Sequence, residues 1–324
     1  MMQHHAGLTR RTMLRGGAGL ALTGAALGVG ATTASAAGDG HGLTVVDRNE
    51  SAARLRYYRF HTTAIAWNPA VNVILPDGYH TSGKRYPVMY FLHGGQQDFR
   101  AFDQWLVSAS AHKDVIIVAP DGGAAGWYSN PVSSNNGAHN WETFHIAQLI
   151  PWIDANFRTH AEYDGRAVSG FSMGGFGALK YAAKYYGHFA SVSSHSGPAS
   201  IRRDAGLVAH WANISSAAVE LAGGTIYGAP LWDEQRVSAD NPMEQIPSFR
   251  NKRIFLAAGT HPDPINFFDV ANETQVLAGQ REFRGALDRA GIPVESHERN
   301  RGHLVEYDLL SQDIDGVVRH LRGA

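Results

Sequence analysis

The stretch Gly170-Phe171-Ser172-Met173-Gly174-Gly175 sets a serine between glycines, directly after the strand-like run Arg166–Ser169 and before the small-residue segment 176–187. A Gly-x-Ser-x-Gly read as strand, turn and helix presents the hydroxyl at a tight bend. Gly170 and Gly174 let the two backbones approach there without a Cβ between them. The chemistry that suits such a hydroxyl is nucleophilic attack. Serine is a poor nucleophile at neutral pH, so it needs a base, and the base needs an acid to orient it.

The base belongs after the last strand. His303 lies in a glycine-bearing loop beyond the strand-like run 293–298. His297 competes, but it sits inside the strand pattern and alternates with Glu295. The acid belongs after the penultimate strand, 253–258, where Asp263, Asp269 and Glu273 are all in range. Position alone slightly favours Asp263. Glu273 follows Asn272, a plausible helix cap, and also reads as a carboxylate favoured by a helix N-terminus. Two backbone N–H groups must face the developing oxyanion. Met173, next to the nucleophile, is one. Gly95, in the loop His93–Phe99 after the run 87–92, is the other, with Gly94 as its neighbour.

The elements that must hold these residues can be read from periodicity. Residues 57–67 and 70–75 read as an antiparallel pair. Runs at 87–92, 115–119, 166–170, 190–194, 253–258 and 293–298 read as further strands, several of them continuously apolar, as strands covered on both faces require. Helical spacing is predicted over 145–157, 177–187, 273–291 and 309–321. The third places Val276, Phe283 and Leu287 on one side and stops at Gly291. Alternating strands and helices give an α/β fold with a mostly parallel sheet covered on both faces. The stretch 195–252 is too long for a simple connection and is expected to form a partial lid or side wall carrying Trp211 and Trp232.

Composition narrows the classes. The chain has 324 residues, 44% hydrophobic and 18% charged, with a formal net charge of −1. There is no basic excess to suggest nucleic acid and no internal apolar run long enough to suggest a membrane span. Arg10 and Arg11 precede a mild apolar segment, and Ala34-Ser35-Ala36 follows, so residues 1–36 read as a twin-arginine export signal cleaved near Ala36 or Ala37. Residues 37–52 read as a flexible leader, and 53–324 as one domain. With no cysteine, an exported chain must rely on its hydrophobic core rather than on disulfides.

At this point the chain resembles the esterase-D-like branch of the α/β-hydrolases, and within it the mycobacterial mycolyltransferases of the antigen 85 complex. The resemblance covers nearly all of residues 55–322. It rests on the stretches at 126–131, 141–157, 167–186, 232–247 and 302–307, with Trp141-Glu142-Thr143-Phe144 and residues 241–247 more diagnostic than the serine turn itself. The resemblance implies an α/β-hydrolase fold with an insertion between the strands near 190 and 253. It implies Ser172 as nucleophile, His303 as base and Glu273 as acid, because Phe283-Arg284 follow Glu273 at the family spacing. It also marks departures. Gln96 stands where the family has an arginine, and Val305 where it has a tryptophan, both in the trehalose subsite. The expected function is an exported serine carboxylesterase that needs no metal or organic cofactor and acts on a small-molecule, lipid or sugar ester. Acyl transfer to a sugar or glycerol, or a non-catalytic extracellular binding role, are the alternatives. The oligomeric state is left open.

Overall fold

The computed structural model describes residues 37–322; the expected export signal and its cleavage site lie outside them, except Ala37. Among the described residues, nine strands form one sheet in the order β1-β2-β3-β5-β4-β6-β7-β8-β9. β1 (Thr44–Asn49), β2 (Leu55–His61) and β3 (Ala70–Ile74) run antiparallel along one edge, and β3 pairs antiparallel with β5 (Ile116–Pro120). β4 (Val88–Leu92), β6 (Arg166–Phe171), β7 (Ser191–His195), β8 (Arg253–Gly259) and β9 (Glu295–Arg299) continue the sheet in parallel.

The central strands are buried on both faces. In β4, Val88, Tyr90 and Leu92 enter one core while Met89 and Phe91 enter the other, the alternation a strand imposes. Helices α1 (Asp103–Ala109) and α7 (Tyr307–His320) supply Leu106, Leu310, Ile314 and Val317 to the second core. The larger core takes Trp152 from α2 (Ile150–Asn156), which a π-helical segment, Thr143–Leu149, leads into. It also takes Phe176 and Leu179 from α3 (Met173–Lys184) and Phe283 and Leu287 from α6 (Phe267–Arg289). The insertion holds α4 (Arg203–Val219), whose path is broken by positive φ at Asp204–Gly206, and α5 (Glu234–Asp240).

Three expectations change. Residues 37–52 are not a loose leader: β1 pairs with β2, and Trp152 Nε1–H donates to Gly38 O at 2.7 Å. Helix α6 begins well before Glu273. Its N-cap is Asn266, whose side chain accepts Asp269 N–H, while Asn272 lies inside the helix and donates to Phe268 O. Glu273 is therefore not a helix-start carboxylate. Helix α1 has no counterpart in the periodicity, because only Leu106 and Ala109 of its residues are buried. Gly291 does end α6, with φ +67°. Among the described residues, no helix is long and apolar enough to cross a membrane.

Candidate functional site

β6 ends at Phe171, α3 begins at Met173, and Ser172 between them has φ 54° and ψ −117°. A non-glycine residue in that region is strained and persists only where its surroundings hold it. Here Ser172 N–H donates to His195 O at 2.9 Å, and Ser172 O accepts from Phe176 N–H at 3.0 Å. The flanking glycines are sterically required. A Cβ on Gly170 would strike the Gly174 carbonyl, and one on Gly174 would strike the carbonyls of Leu92 and His93.

His303 lies in the loop between β9 and α7. Its Nε2 is 2.8 Å from Ser172 Oγ, and its Nδ1 is 2.6 Å from Glu273 Oε2. The neutral tautomer with Nδ1–H donating to the carboxylate leaves Nε2 as the acceptor for the serine proton. The His303 side chain is 6% exposed and Glu273 is fully buried. The rings of Phe171 (centroids 5.1 Å apart) and Phe268 (6.3 Å) flank the imidazole. The other Glu273 oxygen, Oε1, accepts from Ser196 Oγ at 3.0 Å and from Gly259 N–H, and lies 3.7 Å from Arg301 Nη1. A buried carboxylate needs such partners, since an unpaired one costs several kcal/mol.

The competing candidates are placed elsewhere. Asp263 is exposed, and its carboxylate accepts the N–H of Ile265 at 3.1 Å. His297 pairs with Glu295 at 2.9 Å. Asp269 holds the His303 loop from behind: its Oδ1 accepts His303 N–H, and its Oδ2 accepts Asp263 N–H at 2.6 Å. Gly302 makes this possible, because a Cβ there would overlap the Asp269 carboxylate. Neither Asp269 in this role nor the Ser196–Arg301 support of Glu273 has a sequence signal, since each depends on distant segments meeting. Arg301 Nη1 donates to Ser196 Oγ at 2.9 Å and Arg301 Nε to Glu306 at 3.0 Å.

Met173 is the first residue of α3, so its N–H lies outside the intrahelical ladder. Gly95 N–H likewise has no backbone acceptor among the described residues. Val305, which replaces the family tryptophan, is buried in the core beside α7 and presents no wall to a ligand. Gln96 is exposed, with its N–H donated to Ala124 O at 2.7 Å. Among the described residues, no cluster of His, Asp or Glu could hold a metal ion.

The family model described as "Putative esterase" matches residues 62–314. Esterase Rv1288 of Mycobacterium tuberculosis is 70% identical over 289 residues, covering 88% of this chain and 63% of that protein, so the chain spans less than two thirds of that relative's length. Diacylglycerol acyltransferase/mycolyltransferase Ag85C of Mycobacterium leprae is 30% identical over 189 residues, 53% of each chain. Among solved structures, Mycobacterium tuberculosis MPT51 (FbpC1) matches with a TM-score of 0.66 at 20% identity, over 84% of this chain and 100% of that one. A ferulic acid esterase matches with a TM-score of 0.62 at 22% identity, over 83% and 98%. These structural likenesses speak for the α/β-hydrolase fold, and with the family match over residues 62–314 the chain belongs to the esterase family.

Proposed function

We propose that this protein is an exported serine carboxylesterase acting through an acyl-enzyme on Ser172. The observation that carries this reading is the unbroken hydrogen-bond line from Ser172 Oγ through His303 to Glu273, at 2.8 and 2.6 Å. Ser172 Oγ attacks the ester carbonyl carbon as its proton passes to His303 Nε2. Glu273 holds the tautomer and stabilises the imidazolium that forms. The carbonyl oxygen, now an oxyanion, is met by the N–H groups of Met173 and Gly95. The C–O bond to the alcohol breaks, and the imidazolium proton goes to the departing oxygen. Water, deprotonated by His303, then releases the acid and restores Ser172. The residues need no metal or cofactor for any of these steps.

Acyl transfer differs only in the acceptor that resolves the acyl-enzyme, and the likeness to the named mycolyltransferase supports it as the second reading. Gln96 and the buried Val305 argue against a trehalose-type acceptor site, so hydrolysis is preferred. A panel of esters of increasing chain length, with and without sugar or glycerol acceptors, separates the two. Free acid as the sole product supports hydrolysis, and acylated acceptor overturns it. Export is proposed from Arg10 and Arg11: changing both to lysine should retain precursor in the cytoplasm, and normal secretion of that variant refutes the route.

A further inference from the structure

The loop that carries Gly95 is backed by a second segment, residues 121–128. Gln96 N–H donates to Ala124 O at 2.7 Å. Gly122 N–H donates to His93 Nε2 at 2.9 Å, and His93 Nδ1–H donates in turn to Gly94 O at 2.8 Å. The Tyr128 hydroxyl donates to His93 O at 2.7 Å. This backing segment is gripped from the insertion. Glu220, at the C-terminal end of α4, accepts Ala125 N–H through Oε2 at 2.7 Å and Trp141 Nε1–H through Oε1. Ser216 Oγ donates to Ala125 O at 2.5 Å. Gly123, at φ +73°, lies so close that a Cβ would overlap the Glu220 carboxylate.

We propose that Glu220 is a positioning residue for the oxyanion hole: it fixes the 121–128 segment from the insertion, and through the Ala124–Gln96 hydrogen bond it keeps the Gly95 N–H aimed at the reacting carbonyl. This rests on the roles of Ser172 and Gly95 given above. Two N–H donors converge on Glu220, and an ionised carboxylate can accept from both at once. An amide can accept from only one and turns its own NH2 toward the other. The charged or titratable groups facing this carboxyl are Asp121 and His93, with His145 stacked on Trp141 (6.0 Å). Burial is the largest influence on the Glu220 carboxyl and lifts it to about 6, with Asp121 adding to the rise and the Trp141 and Ala125 hydrogen bonds opposing it. Above that pH Glu220 is the double acceptor. Below it, a proton occupies an oxygen that faces an N–H, and the grip slackens. Because the oxyanion develops only in the transition state, the effect belongs in kcat and not in KM.

The test is steady-state hydrolysis of a soluble p-nitrophenyl ester by the full chain, its Glu220→Gln variant and its Ser172→Ala variant, from pH 5 to 8. Glu220→Gln should lower kcat about tenfold at neutral pH, a fraction of the loss on deleting an oxyanion donor outright, with KM within about twofold. The parent's kcat/KM should fall more steeply than one proton allows below pH 7, and the variant's should fall as a single titration. An unchanged kcat in a folded Glu220→Gln, or a loss confined to KM, overturns the proposal. If that variant does not fold, Trp141→Phe, which takes away one of the two donors on Glu220, stands in for it: a lowered kcat at unchanged KM supports the proposal, and an unchanged kcat overturns it. Parental turnover by Ser172→Ala would instead overturn the Ser172 mechanism itself, so the two failures are distinguishable.

Discussion

Two constellations of serine, histidine and carboxylate lie among the described residues, and they are wired differently. At the C-terminal ends of the parallel strands, the order is Ser172–His303–Glu273: the histidine stands between, with one nitrogen for each partner. On the α7 side of the sheet, Asp313 stands at the centre. It accepts from Ser193 Oγ at 2.6 Å, Ser169 Oγ at 3.1 Å, His195 Nε2 at 3.1 Å and Arg253 Nη1 at 2.8 Å. There both serine hydroxyls donate their hydrogen bonds to the carboxylate, and neither bonds to the imidazole. Asp313, His195, Ser169 and Ser193 are also completely buried, so no substrate carbonyl can meet them. The same residue types thus make a hydrogen-bonded line of the order a proton relay needs in one place and a polar tie between α7 and the sheet in the other. What separates them is connection order, access and the strained bend that lifts Ser172 out of its strand.

The comparison breaks most sharply at the serines. Ser172→Ala should lower ester turnover by roughly 10³-fold or more while leaving the fold intact, as in other triads. Ser169→Ala and Ser193→Ala should leave kcat unchanged and cost only about 1 kcal/mol of stability each. Comparable turnover losses in the two sets would erase the distinction. The acids come next. Glu273→Gln should cost roughly 10²- to 10⁴-fold in kcat/KM, whereas Asp263→Asn, whose carboxylate caps only its own loop, should change it by less than about twofold. The reverse order would make Asp263 the acid.

Asp313→Asn should do the opposite of Glu273→Gln. It removes the nearer and fully buried carboxylate partner of Arg253, leaving only Glu295 at 3.6 Å, so unfolding in urea should show a loss of roughly 3 kcal/mol, with kcat per folded molecule unchanged. Asp313 also has a smaller effect, in acid. Burial pushes the Asp313 carboxyl up, but the His195 hydrogen bond, the Arg253 charge and the Ser193 hydroxyl outweigh it and hold it at about 2, against an ordinary 3.8. A folded value below the unfolded one means stability that is present above about 4 and lost as the pH falls through about 2, roughly 2 kcal/mol in all. Urea titrations between pH 5 and 2 should show this component in the parent and not in Asp313→Asn. An identical acid dependence in both would remove Asp313 from the account.

What could be read from the sequence follows from where each signal resides. The continuous apolar strands and the Gly-x-Ser-x-Gly bend are local, and each appears in the structure close to its expected bounds. The place of His303 beside Ser172 followed from chain order, its glycine-bearing loop and the strand pattern that sets His297 aside. The carboxylate that pairs with His303 did not: position favoured Asp263, and only the family spacing to Phe283-Arg284 pointed to Glu273, because the long helix α6 begins early and carries Glu273 one face inward, to full burial. β1 was hidden by its polar composition, since an edge strand buries little and leaves no apolar alternation. The grip of Glu220 on Ala125 and of Asp269 on His303 joins residues far apart in the chain, and no window of sequence contains both ends.

The most direct test of the central claim is to label the folded protein with a fluorophosphonate and map the adduct by peptide mass analysis. A single adduct on the peptide bearing Ser172, formed slowly in Glu273→Gln and absent in Ser172→Ala, is the expected result. An adduct on another serine, or none on a folded and intact chain, would contradict the assignment of Ser172, His303 and Glu273 as the reacting line.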